Sequence, residues 1–188
     1  HRMTTVNLHR LEPGGGVPGF FLSPTGKVRA QFFLGCLSED RFVFEYDAGK
    51  DGVWSSALSS AIEQFTFAER QQLHAPSALE CLWVMLGAEE RLPGRDALGG
   101  CIVLDHGTRD FGQRWFSIWG ESTNLSAWRS SALPGAPVTG WSELDTLRIS
   151  QVRPWVDHEI STEAMPLELG LYDGVAENKG CYPGQEIV

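Results

Sequence analysis

The chain has 188 residues, 42% of them apolar, and a net charge of −9. That is enough for one or two domains with a real core, and it lacks the basic balance of a general nucleic-acid-binding surface. No apolar run approaches the ~20 residues of a membrane-spanning helix, and the polar start reads as no signal peptide, so the cytoplasm is the expected compartment. Cys36, Cys81, Cys101 and Cys181 form no Cys-x-x-Cys pair, and no histidine stands at a zinc spacing from them; no metal site and no disulfide framework are expected.

In chain order, residues 1–16 read as an irregular entry around Pro13 and Gly14-Gly15-Gly16. Gly19–Leu22 and Lys27–Leu34 read as strands joined by Ser23-Pro24-Thr25-Gly26, with proline at the second turn position. Arg41–Tyr46 reads as a third strand. Val53, Trp54, Ala57, Leu58, Ala61, Ile62 and Phe65 recur at helical spacing. A weaker strand is expected around Phe67–Leu73, then a boundary at His74-Ala75-Pro76. Leu79–Leu86 reads as a buried strand. Gly100–Asp105 and Gln113–Gly120 form a hairpin through a polar loop, 106–112. Ser122 or Thr123 starts a helix carrying Leu125 and Trp128 inward. A short strand over Ala136–Thr139 and a helix over Ser142–Ser150 follow. Trp115 and Trp119 share one strand face, either as half of a two-sided buried strand or as an aromatic wall for a flat ring.

Hairpin, helix and strand thus recur at 27–73 and at 100–139, the second time after a further strand. This order predicts an α+β fold of two tandem ferredoxin-like antiparallel halves. The expected domains are 1–76, 77–157 and a linker over 158–188.

The final segment, Asn178 to Val188, concentrates Lys179, Cys181, Tyr182, Gln185 and Glu186 in a turn made by Gly180, Pro183 and Gly184. A neighbouring ammonium favours a thiolate, which makes Cys181 the cysteine in a reactive setting. The alternative is a structural turn with an ordinary small residue in it. Both readings stand on the chemistry alone.

Lys179-Gly180-Cys181-Tyr182-Pro183-Gly184-Gln185-Glu186 resembles the signature of the YgfZ/GcvT family, folate-binding proteins related to the aminomethyltransferase of glycine cleavage. Met3-Thr4-Thr5-Val6-Asn7 resembles the family's early Thr-Thr-Asn-Asp-Val piece. Residues 147–155, with Arg148, Ser150, Arg153 and Trp155, resemble its Arg-Ile-Glu-x-Gly-x-Pro stretch. Residues 163–171, with Glu168, resemble the lead into the signature.

The resemblance implies a tetrahydrofolate species as ligand, with Arg148, Ser150, Trp155, Glu168, Tyr182, Gln185 and Glu186 as binding residues. It implies Cys181 as a functional thiol with Lys179 beside it. Ser150 replaces a common acidic residue and Val152 a usual glycine, and a serine lacks the charge-assisted pairing an acid gives. Arg29-Ala30 stands where the aminomethyltransferases carry an aspartate, so no general base is evident. That favours the YgfZ-like branch, whose members support iron–sulfur enzymes and tRNA modification. The alternatives are a folate-dependent aminomethyltransferase-like one-carbon transferase and a non-catalytic module that has lost its ligand. The resemblance also leads us to expect a fragment, without the family's first strand–helix pair and its C-terminal β-barrel.

Overall fold

The computed structural model describes residues 2–64, 72–75, 78–87, 89–108 and 110–188. It is an α+β fold with two three-stranded antiparallel sheets, as the sequence leads one to expect. Strands β1 (Gly16–Leu22), β2 (Val28–Ser38) and β3 (Arg41–Glu45) form the first sheet in the order β1-β2-β3, followed by helix α1 (Val53–Gln64). Strands β4 (Glu80–Leu86), β5 (Ile102–Gly107) and β6 (Arg114–Gly120) form the second in the order β4-β6-β5, followed by α2 (Ser122–Ala132) and α3 (Trp141–Ser150). That second order is the one taken by the first, third and second strands of a ferredoxin-like unit.

The chain divides into two compact units, described residues 2–64 with 154–188, and 72–153. The segment expected as a linker, 158–188, is therefore part of the first unit. Its Ile160, Leu171 and Tyr182, with neighbouring Val156, bury in one cluster with Phe20, Leu22, Val28 and Trp54. Each large apolar side chain buried this way contributes on the order of 2 kcal/mol, and that outweighs the lack of regular structure in the segment. On α1, Trp54 joins this cluster, while Leu58 and Ile62, one and two turns on, pack with Phe21, Ala30, Phe32 and Leu34.

In the second unit, Val84, Phe116 and Ile118 pack with Leu125 and Trp128 of α2. This is the apolar face that strand alternation predicts.

Two expectations fare differently. The strand around Phe67–Leu73 falls mostly outside the described residues. Ala136–Thr139 forms no strand. Pro137 lies within it and Pro134 just before it, and neither has an N–H to give a ladder; a turn through Gly135 (φ +75°) is closed by the Ala136 N–H to the Leu133 carbonyl at 3.2 Å.

Candidate functional site

Within the first unit, three short pieces far apart in sequence come together. The first is the Thr4–Asn7 piece. Thr4 forms an isolated antiparallel bridge with Phe21 of β1. The buried Thr5 hydroxyl donates to the Gly174 carbonyl at 2.5 Å and accepts from the Phe20 N–H at 2.9 Å. The Ala176 N–H donates to the Thr5 carbonyl at 3.0 Å.

The second piece is the signature segment. The Asn7 amide donates to the Asn178 carbonyl at 3.0 Å. The Lys179 ammonium donates to the Thr4 carbonyl and lies over the Tyr182 ring, 4.7 Å from its centroid. Burial pulls the Lys179 pKa down to about 8 and pushes the Tyr182 phenol upward. Tyr182 is part of the core. Cys181 is exposed and carries a free thiol.

The third piece is the β1–β2 turn. Gly26 (φ +74°) donates its N–H to the Ser23 carbonyl at 3.0 Å. Gly184 (φ +81°) sits against that turn. A Cβ built on Gly184 would lie 2.5 Å from the Ser23 carbonyl oxygen and 2.8 Å from the Gly26 backbone. Glycine is thus required twice over, for conformation and for space. Lys27, next in the turn, pairs with Glu163 and holds that carboxyl below its usual range.

The other expected site residues are more scattered. Glu168 is exposed and accepts the Met165 N–H at 3.1 Å. Gln185 is half-buried and donates its N–H to the Tyr182 carbonyl at 3.3 Å; Glu186 is exposed. Trp155 is half-buried and its N–H meets Glu159 at 3.0 Å. Arg148 and Ser150 lie on α3 in the second unit. The Ser150 hydroxyl donates to the Leu147 carbonyl at 2.7 Å. Arg148 is only 3% exposed, its guanidinium bound to Asp145 at 2.6 Å and to the Arg153 carbonyl at 3.3 Å. A guanidinium held this way orders the end of α3.

The second unit also holds a polar cluster that no motif announced. His106 donates to or accepts from the Ser117 hydroxyl at 2.9 Å, and its ring lies flat on Trp115, 3.6 Å apart and 11° off parallel. The Trp115 indole N–H donates to Asp110 at 3.1 Å, and Asp110 pairs with Arg153 at 3.1 Å. Trp83 packs on Trp115 with centroids 5.0 Å apart. The imidazole thus fills a place that a flat ligand ring would take on an aromatic wall. The register shifts between Asp105 and Gly107. Strand alternation carries His106, with Leu104, onto the face of Ser117 and Trp115.

Among the described residues no group of three or more His, Cys, Asp or Glu is placed to hold a metal ion, and no helix is long and apolar enough to cross a membrane.

No family model matches the chain. The fold is similar to that of the glycine cleavage system aminomethyltransferase T from Bartonella henselae, with a TM-score of 0.73 at 16% identity over 98% of this chain and 55% of that one. A protein of Arabidopsis thaliana, provisionally named a chloroplastic transferase, is 23% identical over 210 residues, covering all of this chain and 47% of its own length. The chain thus spans about half the length of each. The aminomethyltransferase-type fold stands on the structural match, and a distant relationship to a protein named as a transferase stands on the sequence match.

Proposed function

We propose that the chain is the core of a YgfZ-like, folate-binding accessory protein whose working centre is the signature segment with the Thr4–Asn7 piece. The observation that carries this reading is their convergence. Asn7 meets Asn178 and Thr4 meets Lys179 across more than 170 residues of chain, while Cys181 stays exposed beside them.

The residues present suit one end of a folate. Exposed carboxylates such as Glu168 and Glu186 match the donor edge of a pterin, where charge-assisted hydrogen bonds are the stronger kind. Arg148 does not suit the glutamate tail, because its guanidinium is buried and engaged; in this reading it positions the end of α3. Tyr182 supports Lys179 from below. Cys181 supplies a thiol for exchange, or for a transient hold on a partner thiol or cluster of an iron–sulfur protein. A cytoplasmic or other reducing compartment suits an exposed thiol.

A second reading is favoured by one observation. A folate-dependent one-carbon transferase needs a proton acceptor, and Arg29-Ala30 supplies none. The Lys179 amine, at about 8, lies close enough to neutral pH to serve as one.

Cys181→Ser separates the two. In cells lacking the chromosomal gene, the accessory reading expects the variant to fold normally and fail to restore iron–sulfur enzyme activity. Full restoration would overturn it.

A further inference from the structure

Helix α3 ends in a nested pair of backbone hydrogen bonds. The Val152 N–H donates to the Ile149 carbonyl at 3.0 Å, and the Arg153 N–H to the Arg148 carbonyl at 2.8 Å. Such a pair closes a helix through one left-handed residue, where glycine is usual, and an apolar residue just after it often packs back on the last turn as a seal. This chain has neither. The left-handed residue is Val152, at φ +53°, and the sealing position holds Arg153.

A β-branched side chain is strained at such a φ. Val152 is 84% exposed, so packing within its own chain offsets little of that cost. Strain of this sort persists only where the surroundings hold it in place. Here polar side chains hold it. The buried Arg148 guanidinium, bound to Asp145, donates to the Arg153 carbonyl at 3.3 Å. The Arg153 guanidinium pairs with the buried Asp110 at 3.1 Å. The same carboxylate accepts the Trp115 indole N–H at 3.1 Å, and the His106 ring is stacked on that indole.

The helix end is thereby tied to the loop between β5 and β6. It also stands where the chain leaves the second unit for the segment that carries the signature. Parting an ion pair frees a strained residue to relax, which parting an apolar seal around a glycine does not. We propose that residues 148–153 form a conformational catch at this crossover. The strained Val152 is the spring, the Arg153–Asp110 pair is the catch, and parting that pair lets the last turn of α3 open.

The test is amide hydrogen exchange on the full chain, read as the protection factor at position 153 against those of β6. Asp110→Asn keeps an acceptor for the Trp115 N–H and removes the ion pair. It is expected to raise local opening about tenfold or more. Arg153→Gln cuts the same pair from its partly exposed side and is expected to act likewise. Val152→Gly and Val152→Asn supply the two residue types that tolerate a left-handed position. Each is expected to reduce opening by about 5- to 30-fold, the worth of the relieved strain. Added to Asp110→Asn, either should bring opening back toward the wild-type level. The sign is decisive, because glycine at an ordinary frayed helix end loosens the backbone and raises opening. The proposal is overturned if neither Asp110→Asn nor Arg153→Gln raises opening at position 153 beyond that of β6. It is equally overturned if Val152→Gly or Val152→Asn leaves opening unchanged or raises it.

Discussion

The signature region of the first unit and the His106 cluster of the second are built by opposite means. The first is closed at backbone carbonyls, by side-chain donors from Thr5, Asn7 and Lys179 and by the Ala176 N–H. Carbonyls of Thr4, Thr5 and Asn178 take the long-range hydrogen bonds, and two glycines at positive φ lie against each other. Its polar side chains Cys181 and Glu186 are left exposed. The second is held by side chains. His106, Ser117, Trp115, Asp110 and Arg153 bind one another, and most of them are buried. A region closed at its carbonyls leaves Cys181 and Glu186 exposed to a ligand. A region that spends its side chains on one another serves as scaffold. This contrast supports the working centre proposed for the first unit.

The strongest way to break the contrast is Gly184→Ala. The added Cβ meets backbone at 2.5–2.8 Å at a left-handed position, so the expected loss is about 2–4 kcal/mol in urea denaturation. A loss below about 1 kcal/mol would mean that the two glycine turns do not depend on each other. Next in size, Asp110→Ala removes the acceptor of a buried indole and the partner of Arg153. The expected cost is about 2 kcal/mol, with quenched or shifted Trp115 fluorescence as the local readout.

The smallest effect is a pH dependence. With its folded pKa at about 8, below the ordinary lysine value, Lys179 loses its proton in the folded chain first. Between about pH 8 and pH 10 the unfolded chain binds more protons, so stability rises with pH across that window. Below it the burial of the ammonium remains a standing cost. Above pH 10 the raised Tyr182 phenol acts in the opposite direction. Urea midpoints between pH 7.5 and 9.5 should climb in the wild type and climb less in Lys179→Met.

Much of this was legible in the sequence. Short apolar and aromatic runs between turn signals located the six strands of the described residues to within a few positions, and Trp54, Leu58 and Ile62 gave α1. The signature was visible because turn glycines and reactive side chains sit together in one short run. What was hidden came from the third dimension. The packing of 154–188 onto the first unit rests on isolated apolar residues such as Ile160 and Leu171, which have no period to detect. The burial of Arg148 depends on where α3 lies, and a helix-end arginine looks the same in sequence whether solvated or not. His106 entered its cluster because β5 runs two residues past the strand end expected at Asp105, so a residue read as part of a polar loop continues the strand's alternation.

The most direct test of the central claim is calorimetric titration of this chain with tetrahydrofolate and its formyl derivative. The account predicts micromolar binding of at least one of them, about 8 kcal/mol at 1 μM. It predicts that binding is weakened at least tenfold when Glu168 and Glu186 are both changed to alanine and is little changed by Cys181→Ser. No heat of binding with either ligand, or an affinity indifferent to both carboxylates, would contradict it.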